Sequence, residues 1–301
     1  MRVVVTGREG QVVQSLIERA SKSVEIVPIG RPELDLSADV NSIVSVLMSA
    51  QPDVIVSAAA YTHVDKAESE PHVAFAVNEQ GARAVAIAAR ECDVPLIHLS
   101  TDYVFDGTKA SPYVEDDETG PTTVYGASKL AGELAVLAEH ENSAILRTAW
   151  IYSPYGVNFV KTMLRLGEAR NEIGVVADQR GNPTSALDIA DGVLAVASNL
   201  RGGENANLRG VFHMAATGDA SWAEFASAIF CASAHSGGPE ARVKHISTAD
   251  FATAVTRPAN SQLDSTKLAR THGVRLPGWT DSLGHVVSRV LELRTRAGAT
   301  T

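Results

Sequence analysis

The chain has 301 residues, 45% hydrophobic and 20% charged, with a formal net charge of −9. So acidic a balance argues against gripping a phosphate backbone, and no nucleic-acid partner is expected. Cys92 and Cys231 are too far apart for a metal motif or a disulfide framework, and no apolar run approaches the ~20 residues of a membrane span, so a cytoplasmic protein without a membrane partner is expected.

In chain order, RVVVT (2–6) is a β-branched run ending at Gly7, too short for a signal-peptide core, and QVVQSLIERA (11–20) has helical spacing. A strand is predicted at 24–29, a helix at 40–50, a strand at 53–60 and a long helix at 72–91. A fourth strand follows at 94–100, then a helix carrying Tyr125, then a strand at 143–152. Apolar strands alternating with helices predict a doubly wound parallel sheet of the Rossmann type. Beyond residue 152 the rhythm loosens into Gly-, Asn- and Pro-rich loops. Short strands are predicted at 210–215 and 241–247, and helices at 222–234 and 279–296. The expectation is a cofactor domain over 1–152 with interleaved segments, and a smaller C-terminal α/β substrate-binding lobe over most of 153–301. The final AGATT is expected to fray.

The first strand runs into Gly7-x-x-Gly10 at the mouth of a helix, where backbone N–H groups and the helix dipole bind a pyrophosphate. Position 13, where a third glycine would let helix and strand pack closely, is Val13, so this helix should pack farther out or tilt. The second strand ends in Gly30 and Arg31, with no acid before Glu33. An arginine there accommodates the 2′-phosphate of NADPH; a solvated loop arginine is the alternative.

The fourth strand delivers Ser100, Thr101 and Asp102 to the carboxyl rim, where ligands bind in such sheets. Tyr125 stands four residues before Lys129, so the two share a helix face. An ammonium beside a phenol should lower the phenol's pKa and make it a proton donor near neutrality. A carbonyl held between Thr101 and Tyr125, beside a nicotinamide, would be a hydride-transfer site.

With TGREGQV, AAAYTHVDKAESEP, HLSTDYVFDG, YGASKLAGE and DQRGNPT in view, the chain resembles the extended short-chain dehydrogenase/reductases, and among them the dTDP-4-dehydrorhamnose reductase family. The resemblance spans residues 5 to 264. It implies reduction of the C4 ketone of a dTDP-sugar by NADPH, with NADH possible, in a monomer or homodimer. By position it places Gly10, Gln11 and Val12 on the cofactor pyrophosphate, and Asp35 and Leu36 beside the adenine. Ala58, Ala59, Ala60, Tyr61 and Thr62 would line the ribose and nicotinamide side, though the alanines could equally be core packing. It makes Tyr125 the proton donor, with Lys129 on the nicotinamide ribose. Thr101, Asp102 and Trp150 would face the sugar, with a core aromatic as the other reading of Trp150. Asn182 and Arg257 fall in family-like motifs of the second lobe, and Arg257 suits either a diphosphate or a structural ion pair.

Some members of the family dimerise through magnesium held by glutamates. Here only Glu292 matches, with Ser15 and Leu187 at the other positions, so no metal is expected. Two competing readings share the motifs. A dehydratase or epimerase would use the same Tyr and Lys, but a dehydratase wants Asp-Glu after the threonine and the chain has Asp102-Tyr103. A non-catalytic, cofactor-binding regulatory subunit is the other, against which the intact Thr101, Tyr125 and Lys129 argue.

Overall fold

The computed structural model describes residues 1–203, 205–251, 255 and 257–298; of the tail expected to fray, residues 299–301 lie outside the described residues. The first half runs β1 (Arg2–Thr6), α1 (Gln11–Arg19), β2 (Glu25–Ile29), α2 (Val40–Ser49) and β3 (Val54–Ser57). The short helices α3 (Val64–Ala67) and α4 (Pro71–Phe75) follow. A π-helical stretch, Ala76–Gly81, then leads into α5 (Ala82–Glu91), β4 (Leu96–Thr101), α6 (Val124–Glu139) and β5 (Ser143–Thr148). The second half contains β6 (Ile151–Tyr152), α7 (Phe159–Ala169), β7 (Glu172–Val176), β8 (Arg180–Gly181), β9 (Thr184–Ser185), α8 (Ala186–Gly202) and β10 (Gly210–His213). It closes with β11 (Ala220–Ser221), α9 (Trp222–His235), β12 (Arg242–Ile246), α10 (Thr266–His272) and α11 (Trp279–Gly298).

Six strands form one sheet in the order β2, β1, β3, β4, β5, β10, every neighbouring pair parallel. β-branched runs buried on both faces produce such a sheet, with helices needed on each side. Val3, Val5, Ile97 and Leu146 face α1 and α8; Val4, Ile55 and Ile145 face α2, α5 and α6. The strand order reverses between β1 and β3, which opens a crevice at their carboxyl ends. A separate core, built on Tyr152, Leu164, Phe225, Ile229 and Val287, joins α7, α9 and α11.

The structure corrects several sequence expectations. The strand expected at 53–60 ends at Ser57, because the N–H groups of Ala58 and Ala59 both turn to Thr6 Oγ1, at 3.0 Å each. The strand expected at 143–152 breaks at Trp150, whose φ is +46°; β6 beyond it pairs with β9 instead. The strand expected at 210–215 in the second lobe is β10, the sixth strand of the main sheet. The helix returning it, α8, and α7 carry no prediction above. The long helix at 72–91 has the π-helical stretch in its middle. No helix among the described residues is long and apolar enough to cross a membrane.

Candidate active site

The crevice between β1 and β3 is a cleft of about 640 Å³, a volume typical of ligand sites, walled by Gly7, Arg8, Glu9, Gly30, Arg31, Leu34, Leu36 and residues 59–63. Gly7 has φ +99°, a left-handed conformation that glycine alone adopts without strain. Gly10 caps α1 and no side chain caps that terminus, so its first-turn N–H groups remain available to an anion. Gln11 Oε1 accepts hydrogen bonds from Ser153 (3.0 Å) and Asn158 (2.9 Å), and Val12 is in the core. Val12 can therefore serve a pyrophosphate only through its backbone, whereas Gln11 keeps its side-chain N–H groups as donors. Val13 is likewise a core residue, filling the space below Gly7.

Two guanidiniums stand at the cleft. Arg31 pairs with Asp35 at 2.9 Å, and Arg8, absent from the sequence expectations, pairs with Glu33 at 2.9 Å. Hydrogen bonds from Ser37, then from Arg31, hold the Asp35 carboxyl down to about 2. Asp35 does not wall the cleft; Leu34 and Leu36 do. On the opposite wall, Asn78 brackets the Tyr61 backbone, accepting from its N–H (2.8 Å) and donating to its carbonyl (3.0 Å). Asn78 also donates to Ser128 on α6 at 2.9 Å, tying this wall to the helix of Tyr125 and Lys129. Ala59, Ala60, Tyr61 and Thr62 line the cleft, whereas Ala58 packs on the core.

α6 begins where Thr123 accepts a hydrogen bond from the Gly126 N–H at 3.0 Å. Gly126 lies so close to the Tyr103 carbonyl that a Cβ has no room, which seats the first turn against the end of β4. Tyr125 is thereby set beside the Thr101 hydroxyl. Thr101 Oγ1 in turn donates to Asp102 Oδ1 at 2.9 Å. The three side chains thus cluster at the rim, and the Thr101 proton is committed to the carboxylate.

Two expectations fail here. Thr101 donates to Asp102, so in this arrangement its hydroxyl proton is not free for a carbonyl. Tyr125 is also not acidified: burial pushes its pKa up to about 12, against the neighbouring Thr101 hydroxyl, with the Asp102 charge adding to the rise. The reason lies in Lys129, whose ammonium does not bond the phenol. It is buried and donates to the Leu99 carbonyl at 2.7 Å, with His98 Nε2 at 3.2 Å. Burial brings Lys129 itself down to about 8, against the pull of Glu133.

Asp102 is 3% exposed, and burial pushes its carboxyl up to about 6 despite the nearby hydroxyls of Ser261 and Thr101. Ser261 stands outside hydrogen-bond geometry, so Oδ2 has no close partner. A buried, unpartnered carboxylate oxygen is a site awaiting a donor. Behind this rim, Arg147 on β5 forks onto Glu133 on α6 at 2.7 and 2.9 Å, and Ser100 donates to the same carboxylate. This buried pair locks α6 to β4 and β5.

From the second lobe, Trp150 stacks on Trp222 and donates to Ser261 Oγ at 3.1 Å. Trp222 was not among the expected site residues; within its helix it reads as one more apolar position. It walls a second cavity of about 360 Å³ with Phe159, Met163, Gln179, Arg170 and Arg257. Arg257 pairs with Asp65 at 3.6 Å while its buried Nε has no partner. Asn182 donates to the Gly218 carbonyl and accepts from the Leu263 N–H, each at 2.8 Å, so both ends of its amide brace loops. Among the described residues no three His, Cys, Asp or Glu side chains converge as a metal site. Ser15 and Leu187 are buried, and Glu292 accepts a hydrogen bond from Ser288 at 3.3 Å.

Residues 1–292 match a family profile described as the RmlD substrate binding domain. A dTDP-4-dehydrorhamnose reductase of Sinorhizobium fredii is 51% identical, over 97% of this chain and 98% of its own length. A crystal structure of a dTDP-4-dehydrorhamnose reductase from Clostridium acetobutylicum is similar with a TM-score of 0.89 at 34% identity, covering 97% of this chain and 100% of that one. The Bacillus anthracis enzyme of that name, in complex with NADP, gives a TM-score of 0.87 at 37% identity, with 95% and 98% covered.

Proposed function

Since the chain belongs to the dTDP-4-dehydrorhamnose reductase family and is an oxidoreductase, we propose that it uses NADPH to reduce the C4 ketone of dTDP-4-dehydro-6-deoxy-L-mannose to dTDP-L-rhamnose. The clustering of Tyr125 beside Thr101, itself hydrogen-bonded to Asp102, at the rim of the sheet supports this reading.

The cleft suits a dinucleotide. Gly7 and the uncapped start of α1 would receive the pyrophosphate, and Arg8 and Arg31 would receive a 2′-phosphate, which favours NADPH over NADH. When bound, the reduced nicotinamide supplies a hydride for C4. Tyr125, protonated at neutral pH, supplies the proton that the C4 oxygen takes up as it gains negative charge. Asp102, with Oδ2 unpartnered, would accept a sugar hydroxyl. The cavity beside Trp222, with Arg170 and Arg257 at its wall, offers an apolar surface for the base and cations for the diphosphate. We assign residues 1–152, with α8 and β10 interleaved, to the cofactor, and most of the remainder to the sugar nucleotide. Asn182 and Trp150 are assigned to bracing that side of the site, on the bonds described above.

The test is incubation with NADPH and dTDP-4-keto-6-deoxyglucose, with and without a 3,5-epimerase, and identification of the sugar by NMR. The proposal requires dTDP-L-rhamnose only in the presence of the epimerase. NADPH consumption that yields 6-deoxytalose, or none at all, would reject it.

A further inference from the structure

His98 belongs to none of the roles above, yet it is 1% exposed and lies directly against the proposed active-site lysine. Residues 96, 98 and 100 of β4 point to one face of the sheet, the α6 face, and the register pairs His98 with Ser57 on β3. His98 Nδ1 is 3.0 Å from Ser57 Oγ, and Nε2 is 3.2 Å from Lys129 Nζ. A charged lysine is a donor only, so Nε2 must be the acceptor and Nδ1 must carry the ring proton, which it donates to Ser57. Burial and the adjacent ammonium both keep this imidazole neutral.

An ammonium has three N–H donors. One goes to the Leu99 carbonyl at 2.7 Å and one to His98, which leaves one. We infer that His98 is a positioning residue for Lys129: with Ser57 fixing its tautomer, it pins the ammonium so that a single N–H remains for the cofactor ribose. The inference rests on the reading of Lys129 as the ribose-binding lysine.

The other charged or titratable groups around this ammonium are Glu133 one turn further along α6, Tyr125 one turn back, and Asp102 at the end of β4. Glu133 is tied up by Arg147, and Asp102 takes its one hydrogen bond among the described residues from Thr101, through Oδ1. Among the described residues His98 is the one titratable side chain that bonds Nζ. Removing this acceptor destabilises the charged lysine, so Lys129 should lose its proton at lower pH.

The experiment measures NADPH affinity and kcat/KM against pH for wild type, His98→Leu, His98→Gln and Ser57→Ala. Glutamine places a carbonyl oxygen near the Nε2 position and keeps an acceptor; leucine keeps only volume. In His98→Leu the alkaline limb should move down by about one pH unit, with NADPH binding about tenfold weaker at neutrality, the weight of a hydrogen bond to a charged group. His98→Gln should restore most of both. Ser57→Ala, which disturbs the cavity least, should shift the limb the same way by less, and serves if the leucine variant does not fold. Equal losses in the leucine and glutamine variants with an unmoved limb would reduce His98 to packing, and an unmoved limb in Ser57→Ala would overturn the inference. NADPH binding is read without the sugar, so failure to turn over the sugar nucleotide would count against the proposed function and not against His98.

Discussion

The indole of Trp150 lies flat on that of Trp222, with centroids 3.5 Å apart and planes 6° from parallel. Trp150 reaches this position through a left-handed backbone, φ +46°, and Gly181 leaves no room for a side chain beside it. One face of Trp150 is therefore covered by protein, and a sugar can meet only what the stack leaves open. Aromatic pairs of this kind contribute about 0.5–1.5 kcal/mol beyond the area they bury.

Trp222→Ala should consequently raise the KM for the sugar nucleotide and leave NADPH affinity at the wild-type value. It should also lower the melting temperature, as truncation of a partly buried aromatic costs about 3 kcal/mol. Titration of both ligands and a thermal melt check this; a loss of NADPH affinity equal to the loss for the sugar would place the stack outside the substrate side.

Asp102 gives a pH prediction whose sign is fixed by its raised pKa. In the folded protein it holds a proton up to about 6, whereas the unfolded group releases it near 3.8. The protonated state therefore favours folding, and that contribution is lost as the pH rises through 6. Asp102→Asn removes the buried charge, so its stability relative to wild type should improve between pH 4 and pH 8 by about 2 kcal/mol. Its turnover should fall, because Oδ2 no longer accepts as an anion. Denaturant unfolding at the two pH values, with kcat on the same samples, provides the check; equal stability differences at both pH values would contradict it.

Arg8 and Arg31 predict the cofactor preference. Each is held by an acid, Glu33 and Asp35, and each is available to a 2′-phosphate at the cleft. Either alanine variant should weaken NADPH by about ten- to hundredfold and NADH far less, since a hydrogen bond to a charged group is worth about 1.5–3 kcal/mol. Equal losses for the two cofactors would show that the guanidiniums do not meet the phosphate.

The sheet was legible because its strands are β-branched runs buried on both sides, and the proposed acid because Tyr125 and Lys129 sit one helical turn apart. What escaped depends on distant partners. β10 reads as a stray short strand until α8 packs on α1 and returns it beside β5. His98 reads as an ordinary member of an apolar strand, and only the register with Ser57 and the approach of α6 turn it into a partner for Lys129. The sequence spacing of Tyr125 and Lys129 suggested a direct effect of one on the other. In the fold the lysine is drawn to the Leu99 carbonyl, and the phenol answers to burial and Thr101. Arg8 reads in the sequence as a variable position inside a glycine motif, yet the turn at Gly7 brings it to the cleft beside Arg31.

The proposed reduction stands or falls with Tyr125 as the group that supplies the proton to the ketone oxygen. Its most direct test is the turnover of Tyr125→Phe with saturating 4-keto sugar nucleotide, followed as loss of reduced nicotinamide absorbance, alongside the NADPH dissociation constant of the same protein. Turnover should fall by about 10²- to 10⁴-fold, the usual contribution of a general acid, with NADPH binding unchanged. A phenylalanine variant that keeps more than about a tenth of wild-type turnover would contradict it, since a group supplying the proton accounts for at least a hundredfold.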